Sequence, residues 1–391
     1  MTVRSNGSWP RAFNSIPKTV YTDASLYARE LERIFRGSEW HAIAHESEVP
    51  APGDFRTLTH AHTPLLIARG KDGVVRVFYN SCPHRGNQVE TSKAGNRARF
   101  ACPYHRWTFA TDGKLIGCPS EAEYAPGFDR ADYPLAMVRM EMFKGIIFVT
   151  FSDETIPLED YLGDLKPTIA RAVGGDGRLK LLGYQKVRYA ANWKIYGDND
   201  VFHGPLLHKA LNLLSWQANN GFMKTCTDRG HVALETDLVL PPDSGLIKDM
   251  SIVGVETDGV PGSCAVIMYP TFVMTKHLDV INLRFATPIG PDRTEVSYAY
   301  FAHQDDSPAV ERHRIRQGSN LLGPTGFISM EDAAIFHRSQ IGAHTPGDVV
   351  FQKGVRDTAA LQLDYKFNDE SHALVHWEHY RNVMGFDREP A

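Results

Sequence analysis

Apolar positions in the chain change period twice. Residues 21–38 (YTDASLYARELERIFRGS) place Leu26, Leu31, Ile34 and Phe35 on one stripe, which predicts an N-terminal helix. The period then shortens. PLLIARG (64–70) and VVRVFYN (74–80) flank Lys71-Asp72-Gly73, a hairpin signal. WTFA is followed by Thr111-Asp112-Gly113 and a short strand at 114–116, and GIIFVTF (145–151) reads as a further strand. Residues 156–172 look helical, and Gly174-Gly175-Asp176-Gly177 breaks the chain. Beyond it lie strand patterns at 182–190, 264–275, 280–287 and 294–303, then helix-like stretches at 306–321 and about 355–384. The expected fold class is α+β: a small all-β unit, then a larger one with an antiparallel sheet and long helices, of helix-grip type. The expected divisions are an N-terminal helical segment at 1–39, the small unit at 40–155 and the larger one at 156–391.

Bulk properties narrow the class. The chain has 391 residues, enough for two cores, with 42% hydrophobic and 23% charged residues and a formal net charge of -4. Nothing in that balance points to nucleic acid or an anionic membrane. No run of eighteen apolar residues predicts a transmembrane helix, and MTVRSNGSWPRAFNSIP lacks the apolar stretch of a secretory signal. The five cysteines, Cys82, Cys102, Cys118, Cys226 and Cys264, are too few for a disulfide framework, so a reducing cytoplasmic location is expected. No GxGxxG follows a strand and no GxxxxGKS/T is present, so no nicotinamide, flavin or ATP loop is recognisable.

Two short segments carry metal chemistry. Cys82-Pro83-His84-Arg85-Gly86 and Cys102-Pro103-Tyr104-His105-Arg106-Trp107 give the spacing C-x-H, seventeen residues, C-x-x-H. A Rieske [2Fe–2S] centre uses this donor set, two cysteines on one iron and two histidines on the other. Zinc also accepts two cysteines and two histidines, but zinc fingers group them as a Cys pair and a His pair, whereas each loop here offers one of each. The hairpin signals around both loops place the four side chains where they can converge.

The second constellation is Asp198-Asn199-Asp200-Val201-Phe202-His203-Gly204-Pro205-Leu206-Leu207-His208. Two histidines and a nearby acid suit a non-haem Fe(II) site with two His and one carboxylate. His-x4-His is weak by itself in a chain with 17 histidines. His372, His376 and His379 also stand at helical spacing, in SHALVHWEHY, and are assigned to an amphipathic helix with Glu378 pointing elsewhere.

The Rieske pair, then Asn192-Trp193-Lys194, then Asp and His-x4-His, in that order, resemble the large (alpha) subunit of Rieske non-haem iron ring-hydroxylating oxygenases. The likeness runs from about Arg29 to Gly385 and is nearest to the branch acting on salicylate, anthranilate, terephthalate and related aromatic acids. Arg29-Glu30-Leu31-Glu32-Arg33-Ile34-Phe35, Gly53-Asp54-Phe55, Pro205-Leu206-Leu207-His208 and Gly323-Pro324-Thr325-Gly326-Phe327 carry it.

The resemblance implies that Cys82, His84, Cys102 and His105 ligate the [2Fe–2S] cluster and that His203 and His208 ligate a mononuclear Fe(II). Its carboxylate ligand follows the Gly-Pro-x-Gly-Phe segment, which gives Asp332, with Glu331 as second choice. Asp200 matches the acid that bridges a cluster histidine of one subunit to an iron histidine of its neighbour. The chain departs from the family by lacking two residues before His203, and Phe202 replaces a tyrosine. In a helix, two residues rotate what precedes them by roughly 200°, so Asp198 is an alternative bridge.

The activity implied is that of a terminal oxygenase component. It would use O2, with electrons from a separate NADH-dependent reductase, with or without a ferredoxin, to mono- or cis-dihydroxylate an aromatic substrate bearing a carboxylate. A homotrimer is implied, with or without three small beta subunits. The alternatives are a homotrimeric Rieske monooxygenase or oxidative N- or O-demethylase, and a Rieske electron carrier or zinc-stabilised binding protein with no second metal. Arg284, or Lys276-His277, could meet a substrate carboxylate. Phe202, Leu206, Leu207, Leu211, Phe327, Ile328 and Phe336 could supply apolar walls.

Overall fold

The computed structural model describes residues 9–199, 203–208, 222–237, 249–257 and 262–388. It divides into two compact units, one of Arg36–Leu158 and one of Met1–Phe35 with Glu159–Ala391. The first 35 residues thus belong with the C-terminal part.

The smaller unit is built from β1 (His41–His45), β2 (Asp54–His60), β3 (Thr63–Arg69), β4 (Val75–Tyr79), β5 (Ala94–Asn96), β6 (Arg99–Ala101), β7 (Thr108–Ala110), β8 (Leu115–Gly117), β9 (Arg139–Phe143) and β10 (Ile146–Thr150). They form three antiparallel sheets in the orders β9-β10-β1, β4-β3-β2-β5 and β6-β7-β8. Alternation along the strands sends Phe55, Leu66, Phe78, Phe100 and Phe109 into one core, and Cys82, Cys102 and Trp107 pack in the same cluster. Phe55 and Phe100 meet edge to face at 5.5 Å. The two cysteine loops therefore rise directly from a rigid aromatic floor.

The larger unit carries one seven-stranded antiparallel sheet. Its strands are β11 (Leu179–Tyr189), β12 (Phe222–Cys226), β13 (Val232–Thr236), β14 (Ser263–Met268), β15 (Phe272–His277), β16 (Val280–Gly290) and β17 (Arg293–His303), in the order β11-β17-β16-β15-β14-β13-β12. The helices used below are α1 (Ala24–Glu30), α2 (Lys166–Ala172), α3 (Trp193–Gly197), α4 (Pro308–Gln317), α5 (Phe327–Ala343) and α6 (Ser371–Met384). Asp23 caps α1 by accepting from the Ser25 and Leu26 N–H groups. The antiparallel sheet beside helices is the α+β arrangement read from the sequence.

Three local expectations change. The strand expected at 264–275 is a hairpin, β14 and β15, because the chain reverses at Tyr269-Pro270-Thr271. The helix expected over 355–384 is only its second half, α6. Val355–Asp357 and Gln362–Leu363 precede it as a small strand pair. α5, with 17 residues, has no counterpart in the expected elements. Among the described residues no helix is long and apolar enough to cross a membrane.

A buried ion pair ties α1, α3 and α6 together. Glu30 accepts from Lys194 Nζ at 2.6 Å, Tyr380 O–H at 2.5 Å and Trp193 Nε1 at 2.8 Å. The Glu30 and Lys194 side chains are both fully buried. Three donors on one carboxylate provide the compensation a buried charge requires.

Candidate functional site

In the smaller unit the two cysteine loops are the same turn built twice. Gly86 N–H donates to Cys82 O (2.8 Å) and Cys82 N–H to Asn87 O (2.8 Å). Arg106 N–H donates to Cys102 O (3.0 Å) and Cys102 N–H to Trp107 O (2.8 Å). Both turns close through a left-handed residue, Gly86 at φ 71 and Arg106 at φ 60. Cys82 and Cys102 are 2% exposed, while His84 is exposed and His105 half-buried. The imidazoles lie side by side with ring centroids 4.6 Å apart, and His84 stacks on Trp107 at 4.8 Å. Burial pushes the Cys82 thiol up, against the backbone N–H groups of His84 and Arg85 aimed at it. The five cysteines are all free.

The donor chemistry fits a two-iron cluster. Among the described residues, one set of three donors lies close enough together for a single ion, and it is not this one. Two sulfurs and two nitrogens spread over a wider span do not suit one tetrahedral zinc.

That one set is in the larger unit: His203, His208 and Asp332, whose ligand atoms all lie within 4.8 Å of one another. Gly323-Pro324-Thr325-Gly326 sets where α5 begins. A Cβ on Gly326 would lie 2.5 Å from the Leu321 backbone, so the turn demands glycine. The inward stripe of α5 is then Ile328, Ser329, Asp332, Phe336, Gln340 and Ala343. Asp332 Oδ1 is 3.3 Å from Nε2 of both His203 and His208. Burial raises the Asp332 carboxyl, but the two histidines outweigh it and hold it down at about 2. Burial lowers the His208 imidazole, yet Asp332 and Glu331 outweigh it and raise it. An electrostatic field that holds a proton on His208 would hold a cation in its place. His208 Nε2 is buried and has Asp332 Oδ1 beside it at 3.3 Å, without a well-directed hydrogen bond. Two imidazoles and one carboxylate on one side fit a mononuclear non-haem iron.

The other candidate residues fall as follows. Asp200, Phe202 and Leu211 lie outside the described residues. Asp198 accepts from Tyr21 O–H (3.0 Å) and Trp377 Nε1 (3.1 Å), both at Oδ2. Glu331 reaches His208 Nδ1, at 2.6 Å, on the far side of the ring from Asp332. Ile328 is buried and Leu207 half-buried, whereas Leu206 and Phe327 are exposed. Phe327 is one position, about 100°, off the inward stripe of α5. His372, His376 and His379 are buried on α6 and do not gather as metal donors, and Glu378 pairs with Arg381 and Arg388.

Arg284 lies on the interior strand β16, half-buried, across from Tyr298 in register. Its guanidinium sits 5.1 Å from the Tyr298 ring centroid. Nε donates to Asn282 Oδ1 (2.8 Å) and Nη2 to Leu322 O (3.4 Å). Burial works against its charge, but Tyr298, Tyr196, Tyr189 and Asp332 outweigh that and raise its pKa. No carboxylate pairs with it among the described residues. Lys276 and His277 stand elsewhere: His277 bonds Ser263 Oγ (2.9 Å) and Lys276 the Gly262 carbonyl (3.4 Å).

Sequence reasoning missed the aromatic group beside Arg284. Tyr189 and Tyr298 share a 2.7 Å hydroxyl contact, and Phe336 meets Tyr189 at 5.4 Å and Tyr196 at 5.9 Å. Phe336 is one helical turn beyond Asp332, so this group adjoins the three donors. The two lie on neighbouring strands four positions out of register, where Tyr189 faces Thr294 and Tyr298 faces Gln185, and no local motif announces their contact.

Comparison with known proteins agrees with both centres. Residues 39–137 match the Rieske [2Fe-2S] domain and residues 177–359 the ring hydroxylating alpha subunit catalytic domain. The large subunit of anthranilate 1,2-dioxygenase from Burkholderia cepacia is 31% identical, over 95% of this chain and 93% of that one. The large oxygenase component of salicylate 5-hydroxylase from a Ralstonia species is 27% identical, over 96% of each. The crystal structure of naphthalene 1,2-dioxygenase from a Rhodococcus species shares the fold, with a TM-score of 0.82, 24% identity and coverage of 95% and 94%. A quaternary ammonium Rieske monooxygenase bound to L-carnitine also shares it, with a TM-score of 0.75, 22% identity and coverage of 97% and 99%. Matched at 31% identity over 95% of its length, the chain belongs to the ring-hydroxylating Rieske oxygenases, as a large (alpha) subunit.

Proposed function

We propose that this terminal oxygenase hydroxylates an aromatic substrate that carries a carboxylate, and that Arg284 holds that carboxylate. The observation that carries this reading is a half-buried guanidinium, adjoining the three iron donors, that meets amide, carbonyl and ring groups but no acid among the described residues. A buried cation left without a counter-ion is costly, and a bidentate carboxylate is its natural partner. Tyr189, Tyr196, Tyr298 and Phe336 offer flat apolar faces for a ring. The same cation would repel a quaternary ammonium, so the reaction of that structural neighbour does not carry over.

In this reading His203, His208 and Asp332 hold the mononuclear iron, which when bound supplies the dioxygen chemistry. Cys82, His84, Cys102 and His105 hold the [2Fe–2S] cluster, which is loaded with electrons by a partner protein. That partner is an NADH-dependent reductase, alone or through a ferredoxin, and the chain works as a trimer with Asp200 bridging neighbouring copies. The task of Arg284 is to fix one end of the ring, so that one ring edge faces the open side of the iron donors.

The test is oxygen uptake with a surrogate reductase and NADH, over benzoates, hydroxybenzoates and aminobenzoates against neutral arenes. Label from 18O2 should enter an aromatic acid, and Arg284→Gln should raise KM for acids at least tenfold. Turnover of neutral arenes alone, or an unchanged KM, would overturn the assignment.

A further inference from the structure

We propose that Glu331 is a positioning residue for His208. The inference rests on the reading of His203, His208 and Asp332 as the iron donors. Consecutive residues on α5 clamp opposite edges of one imidazole: Asp332 Oδ1 stands 3.3 Å from Nε2, and Glu331 Oε2 stands 2.6 Å from Nδ1. The His208 side chain is fully buried, whereas that of Glu331 is 36% exposed.

A neutral imidazole carries its proton on one nitrogen only. A carboxylate at 2.6 Å from Nδ1 accepts that proton's hydrogen bond and so fixes it there. Nε2, 3.3 Å from Asp332 Oδ1, is then the nitrogen left with a lone pair to offer an ion. The bond also stops the ring from turning about its Cβ–Cγ axis. A negative charge behind the ring makes Nε2 a stronger donor, the role that outer carboxylates play for metal-bound histidines.

This geometry separates the two acids that the sequence could not. A carboxylate engaged with Nδ1 is on the wrong side of the ring to share an ion with Nε2, so Glu331 acts through His208. Asp332 alone of the two faces the common point of the triad.

The experiment is anaerobic Fe(II) titration of protein stripped of its mononuclear iron but retaining its [2Fe–2S] cluster. The variants are Glu331→Met, Glu331→Ala, Glu331→Gln and Asp332→Ala, each checked for an intact Rieske visible spectrum and an unchanged melting temperature. Met and Gln match glutamate in length, so they differ from each other mainly in the acceptor oxygen. Loss of the acceptor in Met and Ala should weaken Fe(II) binding about 10- to 100-fold, and Gln, which still accepts from Nδ1–H, should recover most of that loss. If Met and Ala bind Fe(II) within twofold of the parent while Asp332→Ala does not bind it, the positioning role is refuted and the metal site stands. Gln binding as weakly as Met also refutes it. If Asp332→Ala binds Fe(II) as tightly as the parent, the metal-site reading has failed instead.

Discussion

Lys194→Met removes the cation that meets Glu30 and leaves a fully buried carboxylate with two neutral donors, Trp193 Nε1 and Tyr380 O–H. Breaking a buried pair from one side costs about 3–5 kcal/mol. A second route gives a similar figure. A buried glutamate can escape its charge by taking a proton, and for an ordinary carboxyl near 4.3 that costs about 3.7 kcal/mol at pH 7. The folded variant then binds a proton that its unfolded chain does not. Its penalty should therefore shrink by about 1.4 kcal/mol for each pH unit of acidification towards the ordinary carboxyl range. The double variant Glu30→Gln with Lys194→Met carries no buried charge and should recover most of the loss. At about 2–4 °C per kcal/mol for a unit of this size, the single variant should melt roughly 6–20 °C lower at pH 7. Differential scanning calorimetry, with tryptophan fluorescence to follow the unit containing Trp9, Trp193 and Trp377, reads this directly. A shift below about 2 °C, a pH-independent penalty, or a double variant no better than the single would refute the reasoning. Lys194 lies on α3, just before Asp198 and His203, so the single variant should also lose mononuclear iron faster on dilution.

Treatment with a mild Fe(II) chelator should abolish oxygen uptake while leaving the Rieske visible spectrum unchanged, and added Fe(II) should restore uptake. A spectrum lost in step with activity would mean that the two centres are not separate. Burial pushes the His60 and His277 imidazoles down to about 4. Their unfolded value is near 6.5, so their contribution is complete above that pH and is lost as pH falls through about 4. Urea midpoints should drop between pH 6.5 and 4 for both units, and His60→Gln should flatten the drop for the smaller one. A Cβ on Gly86 meets no atom within 4 Å, so Gly86→Ala isolates the strain of its positive φ. It should cost about 1–2 kcal/mol, measured by thermal melting of the cluster spectrum.

What could be read from the sequence was local. Both cysteine loops hold their donors within four residues, between hairpin signals that the structure bears out. His203 and His208 lie five residues apart, and Asp332 was reachable only by counting from a glycine motif. The helix that carries Asp332 was illegible because Phe327, Met330, Ile335 and Ile341 are exposed. They blur its 3.6-residue period, and Gly326 offers no capping side chain. Arg284 was visible as a lone cation in an apolar strand, but its surroundings were not. Tyr189, Tyr196, Tyr298 and Phe336 come from four elements that only the sheet register and helix packing bring together. The partner of Glu331 was hidden for the same reason, since 123 residues separate it from His208.

The twin cysteine turns give the cluster loops a front and a back. Both turns close the same way, yet histidine stands two residues after the first cysteine and three after the second. The sulfurs nevertheless both turn to the aromatic floor, and the imidazoles both turn away from it, His84 into water and His105 half-buried beside it. If these four side chains hold the [2Fe–2S] cluster as proposed, anionic donors would face the core and neutral donors would face outwards, and a neutral donor set favours the more reduced iron. An incoming electron should settle at the imidazole end. In the proposed trimer it is a neighbouring copy that would be laid against the edges of His84 and His105, so the electron would need no cleft to leave by.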